Sequence, residues 1–144
     1  MKLYAESSAV LSWLLDEPTG DAAGACLAAA EWVVTSELTL LEVRRSLERG
    51  RASGRLDDDA SARARADLAE ASAGWAVIRI VPELLDRAGR SFPVEPVRTL
   101  DALHLASALA VRDGTPDLAI LSLDQRIRDN AREMRFPLVP GIAG

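Results

Sequence analysis

Leu3-Tyr4-Ala5-Glu6-Ser7-Ser8-Ala9-Val10-Leu11 opens with three largely apolar residues, passes through a polar turn and continues with helical spacing. A strand without polar alternation is one buried on both faces. Ser7 is a natural N-cap, and residues 8–16 place their apolar side chains at helical intervals. The same order returns further along. Residues 32–34 predict a short strand before a helix that Ser36 can cap and that runs to about Arg49, with Leu38, Leu41, Val43 and Leu47 inward and Gly50 and Gly54 ending it. Residues 118–123 predict a strand before a helix over 125–134 capped by Asp124. Residues 75–81 give the clearest strand in the middle of the chain, and 137–139 a last short one. Further helices are expected over 21–30, 57–72, 82–90 and, capped by Thr99, 100–112, with a proline-containing loop at 92–97. Short apolar strands alternating with helices imply an α/β protein, a three-layer α/β/α sandwich with a short, mainly parallel central sheet.

The 144 residues fit one domain, residues 1–144, and with 49% of them hydrophobic they can bury a substantial core. Residues 1–17 are too polar and too short for a signal peptide or a membrane span, so a cytoplasmic protein is expected. Cys26 is the lone cysteine and His104 the lone histidine, which rules out an intrachain disulfide and a Cys/His zinc site. Any metal would be hard and oxygen-ligated. A net charge of -5 argues against coating nucleic acid by charge alone, yet it leaves a nuclease with local basic contacts open and suits a basic protein partner.

Four carboxylates carry the functional signal. Glu6, Glu42, Asp101 and Asp124 each interrupt or adjoin an apolar run, and carboxylates are rarely buried unless paired or metal-bound. Glu6 and Asp124 follow strands, where open parallel sheets bind ligands; Asp101 lies in a first helical turn and Glu42 at the rim of a buried helix face. Each has a structural alternative. Asp124 can be only a cap, Asp101 only a dipole partner, Glu6 an arginine partner, and Glu42 a partner of Arg45 or Ser46. One divalent-cation site accounts for all four together.

His104, one turn after Asp101 and between Leu103 and Leu105, reads as a hydrogen-bonded, half-buried histidine rather than a catalytic base. Arg44, Arg45, Arg49, Arg51 and Arg55 form either a solvated face or, because the series begins beside Glu42, a hold on a phosphate backbone. Trp13, Trp32 and Trp75 lie in apolar segments and read as core rather than as a base-stacking platform. The chain has no phosphate-cradling glycine loop, no Gly-x-Ser-x-Gly elbow and no Asp-x-Asp after the first strand.

Tyr4-Ala5-Glu6-Ser7-Ser8-Ala9-Val10-Leu11, Ser36-Glu37-Leu38 leading to Glu42-Val43-Arg44-Arg45-Ser46-Leu47, Thr99-Leu100-Asp101-Ala102-Leu103-His104-Leu105-Ala106-Ser107-Ala108 and Leu121-Ser122-Leu123-Asp124 together resemble the PIN-domain family. Within it they look most like the VapC toxins of bacterial toxin-antitoxin pairs. The resemblance spans essentially the whole chain, with the motifs in order. It implies a PIN-like fold and a magnesium- or manganese-dependent endoribonuclease acting on RNA, usually a homodimer, held inactive by a cognate VapB-like antitoxin. It further implies that Glu6, Glu42, Asp101 and Asp124 form the acidic metal cluster, with Ser8 and Ser122 as polar neighbours. Apart from the resemblance, the position of Arg44, Arg45, Arg49 and Arg51 beside Glu42 makes them the candidate RNA contacts. One position departs from the family's pattern. Its first acid is usually aspartate, and the longer Glu6 tilts the expected preference toward manganese, whose geometry is less strict than that of magnesium.

Two rivals keep the fold but change the function. A non-catalytic PIN-fold module would bind protein or RNA unchanged in chelator, and a nuclease for structured DNA would carry long helical insertions that this chain lacks.

Overall fold

The computed structural model describes residues 1–141. In chain order the elements are β1 (Lys2–Ala5), α1 (Ser7–Leu14), α2 (Gly20–Ala29), β2 (Trp32–Ser36), α3 (Glu37–Ala52), α4 (Asp58–Ser72), β3 (Ala76–Ile78), α5 (Pro82–Ala88), α6 (Thr99–Arg112), β4 (Ala119–Leu121), α7 (Gln125–Glu133) and β5 (Leu138–Val139). The strands form one sheet in the order β3-β2-β1-β4-β5, and every pairing is parallel. The expected mainly parallel sheet is thus entirely parallel among the described residues.

Unalternated strand sequences are explained by two cores, one on each face. Leu3, Ala5, Val33, Ala119 and Leu121 face a cluster completed by α1, α2, α3 and α4, while Tyr4, Val34 and Ile120 face one completed by α6, α7, Phe92 and Phe136. Successive strand residues point to opposite faces, so each short strand needs apolar side chains on both. The layers follow from chain direction. β1 to β2 to β3 steps one way along the sheet and carries α1 to α4; the chain then crosses back to β4 and steps outward to β5, carrying α5 to α7. Right-handed crossovers put helices on opposite faces when the direction reverses. The reversal falls between β1 and β4, which pair Leu3 with Ala119, Tyr4 with Ile120 and Ala5 with Leu121.

Several boundaries differ from those expected. Glu6, not Ser7, is the N-cap of α1: its carboxylate accepts from the Ser8 amide at 3.0 Å, and Ser7 is the first helical residue. Arg98, without a capping side chain, precedes α6, and Thr99 lies inside the helix. Gly50 does not end α3, which continues to Ala52. A Cβ there would come within 2.8 Å of Leu56, so Gly50 lets the following turn pack close, and Gly54 takes the left-handed turn at φ 77°. The strand expected over 75–81 shrinks to Ala76–Ile78, because it pairs only with β2, and β2 ends at Ser36 opposite Ile78. Among the described residues, no helix is long and apolar enough to cross a membrane.

Candidate active site

The four predicted carboxylates come together at the carboxyl ends of β1 and β4, where the chain reverses its direction along the sheet. Glu6, Glu42, Asp101 and Asp124 line one cleft of about 170 Å³ with Ser7, Ser8 and Ser46. The backbone sets the centre of this arrangement. The Glu6 amide donates to the Leu121 carbonyl at 3.0 Å, extending the β1–β4 pairing by one residue, and the Ser122 amide donates to the Val139 carbonyl at 3.2 Å. Glu6 and Ser122 are therefore held on adjacent strand ends.

Each carboxylate is held differently. Glu6 is 3% exposed, and hydroxyls rather than cations surround it. Its Oε1 accepts from the Ser7 hydroxyl at 2.7 Å as well as from the Ser8 amide, and its Oε2 accepts from the Ser8 hydroxyl and, at 2.7 Å, from Ser122. Ser8 Oγ in turn accepts from the Leu123 and Asp124 amides at 2.9 and 3.2 Å, tying the start of α1 to the turn before α7. Asp124 caps α7, accepting from the Arg126 and Ile127 amides at 2.9 and 3.3 Å through one oxygen, so the structural role expected of it coexists with a place in the cleft. Glu42, 26% exposed, uses Oε1 for both the Ser7 hydroxyl at 3.2 Å and His104 Nε2 at 2.5 Å. Asp101 is the exception. Its Oδ2 is enclosed and has no hydrogen-bond partner.

Burial raises the Asp101 pKa, the charges of Asp124 and Glu6 raise it further, and His104 and Arg126 oppose them. Tyr4, buried beneath the cleft and subject to the charges of Glu6 and Glu42, is raised as well and keeps its phenolic proton. A magnesium or manganese ion fits the chemistry of these donors: all are oxygens, and the orphaned Asp101 oxygen faces the cost of burial without a hydrogen bond, which a cation relieves. Among the described residues, no three carboxylate, imidazole or thiolate groups stand close enough to share an ion as they are. The cleft is a set of donors rather than a formed coordination shell.

The chain matches the PIN domain family model over residues 3–133. It is 34% identical to ribonuclease VapC46 of Mycobacterium tuberculosis over 137 residues, 95% of each chain. The chain is a VapC-type member of the PIN-domain family. Ribonuclease VapC45 of the same species is 29% identical over 96% of this PIN domain and 94% of that protein. Among solved structures, Mycobacterium tuberculosis VapC20, described as a Sarcin-Ricin loop cleaving toxin, superposes with a TM-score of 0.64 at 17% identity, covering 88% of this chain and 93% of that one. VapBC2 from Rickettsia felis, bound to a DNA fragment from their promoter, gives 0.63 at 9% identity over 96% and 97% of the two chains. These structural likenesses establish the three-layer PIN fold.

Around the cleft of this PIN domain the predicted arginines separate. Arg45 and Arg49 line a shallow groove with Leu38, Leu41 and Leu100 that shares Glu42 and Ser46 with the acidic cleft. Arg44 lies in a different depression, between α3 and α4, with Arg65 and Leu68. Arg51 is engaged by Glu48 at 2.7 Å and Asp58 at 3.7 Å. Sequence reasoning missed Ser7, whose hydroxyl bridges Glu6 and Glu42, and it placed His104 too near the surface. His104 is 2% exposed and joins the cluster directly. Its spacing three residues after Asp101, on one helix face, was the available signal.

Proposed function

We propose that this PIN domain is a Mg2+- or Mn2+-dependent endoribonuclease, the toxin of a cytoplasmic pair restrained by a VapB-like antitoxin. The observation that carries the proposal is the enclosed, unpartnered oxygen of Asp101 among three other carboxylates at the sheet's reversal point. The relatives named as ribonucleases support it. Asp101, Asp124 and Glu42 would hold the ion directly, and Glu6, each of whose oxygens already accepts two hydrogen bonds, would join them by giving up a bond from Ser7, Ser8 or Ser122. When bound, the ion supplies positive charge to a phosphodiester and acidifies a water molecule. The carboxylates alone repel a phosphate backbone, so the chain's own contribution to holding RNA falls to the flank. Arg45 and Arg49 offer phosphate contacts beside the cleft, whereas the pairs of Arg51 and the position of Arg44 make those two poor contacts.

The same acidic cleft would accept an arginine from a basic antitoxin segment, a charge-assisted contact that competes with the ion. The protein as it acts would be a homodimer, in keeping with the family. Cleavage of single-stranded RNA in Mn2+ and in chelator tests the reading. Wild type should cut only with metal, and Asp101→Ala and Glu42→Ala should each lose on the order of 100-fold or more while remaining folded by circular dichroism. RNA binding that is unchanged in chelator, with no cleavage in any metal, would replace the nuclease by a binding module.

A further inference from the structure

His104 is the chain's only histidine, and it spans two polar groups from two other elements. Its Nδ1 lies 2.9 Å from the Tyr4 hydroxyl on β1, and its Nε2 lies 2.5 Å from Glu42 Oε1 on α3. All of this is sealed from solvent on the inner side: Tyr4 is 1% exposed and His104 is 2% exposed. A side chain that only filled space there would be apolar, because a buried polar ring costs stability unless both nitrogens are satisfied. The two contacts define each other. An ionised carboxylate only accepts, so the contact with Glu42 calls for a ring hydrogen on Nε2, and the Tyr4 phenol, which keeps its proton, can then donate to Nδ1. The Ser7 hydroxyl, whose single proton is shared with the nearer Glu6 Oε1 at 2.7 Å, lies 3.2 Å from the same Glu42 oxygen. Oε1 thereby faces both groups, while Oε2 has no protein partner among the described residues.

We propose that His104 is a positioning residue for the metal site, which holds Glu42 by Oε1 so that only Oε2 is presented to the cation, with Tyr4 fixing the ring tautomer from behind. The proposal rests on the metal-dependent reading of the cleft. It makes Glu42 a one-oxygen donor whose rotamer is set by the core rather than by the ion. His104 and Asp101 are one turn apart on α6, so the same helix delivers one acid directly and steadies another through an imidazole. Groups that orient metal ligands from behind commonly change affinity by about 10- to 100-fold when removed.

The test is calorimetric titration of Mn2+ into the RNA-free full-length chain, comparing wild type with Tyr4→Phe, His104→Gln and His104→Leu. Glutamine can keep an N–H donor near the Nε2 position, so His104→Gln should remain within about threefold of wild type. His104→Leu should weaken binding by about 10-fold or more, with Tyr4→Phe between them. A folded His104→Leu chain that binds Mn2+ as wild type does would overturn the proposal. Should that variant not fold, nitrogen-15 spectra of the single histidine in metal-free wild type decide: a proton on Nε2 alone, shifted downfield and perturbed by Tyr4→Phe, supports it, and a proton on Nδ1 overturns it. Failure of the underlying reading looks different. In that case wild type itself binds no Mn2+, and the proposal falls with the metal site rather than through the variants.

Discussion

With one carboxylate oxygen enclosed and unpartnered, and with Asp124 and Glu6 nearby, Asp101 carries its negative charge at the expense of the metal-free fold. Its folded-state pKa is raised above the ordinary aspartate value of 3.8, so the folded chain binds this proton more tightly than the unfolded chain. The penalty is absent below that value, grows as pH rises through the folded pKa and is complete above it. Asp101→Asn should therefore raise the melting temperature in chelator at neutral pH, the advantage should shrink toward pH 4, and the stabilisation that Mn2+ gives wild type should disappear. Scanning calorimetry across pH checks all three, and a lower neutral-pH melting temperature for the variant would show that the carboxylate is not strained. At this scale the acids were legible because a charge inside an apolar run is conspicuous. Their supports were not: Ser7, Tyr4 and His104 are ordinary residues in a strand or on a helix, and only their convergence from β1, α1 and α6 gives them a role. The length of Glu6 also found a local use, since its arm reaches the Ser8 amide and caps α1 in place of Ser7.

Among the elements, α1 and α2 approach each other closely at two glycines. A Cβ on Gly20 would stand 2.3 Å from the Ser12 carbonyl oxygen, and one on Gly24 would stand 2.6 Å from the Trp13 ring. The first is a collision with backbone, which cannot swing aside. Gly20→Ala should thus destabilise the chain by about 1–3 kcal/mol in urea denaturation, while the cleft, which takes Ser7, Ser8 and Leu11 from α1 but nothing from α2, keeps its metal response. Helix existence was readable from apolar spacing, or for α2 and α4 from their alanine-rich composition and for α5 from its opening proline, but ends were not where packing decided them. Gly50 reads as a stop and is instead a contact point for Leu56 inside α3. Trp75 and residues 79–81 read as strand because their side chains suit one, yet a strand lasts only as long as its partner. β3 is an edge, and β2 gives it three residues to pair with.

For the molecule as a whole, the architecture followed from one property of the sequence, strands apolar on both faces, which requires helices above and below the sheet. Strand order was less accessible, since no local pattern states that β1 is central and lies between β2 and β4. That centrality divides the cleft between distant parts of the chain. Glu6 and Glu42 come from the first third, Asp101 and Asp124 from the last, and the β1–β4 pairing joins them. The consequence concerns the ribosome. A nascent chain of this order cannot assemble its cluster until nearly all of it has been synthesised, so abortive fragments lack the full set of acids by topology alone. Chains truncated before residue 118 should accordingly lack RNA cleavage and a cooperative melting transition, and a fragment that cuts RNA without β4 and Asp124 would contradict this.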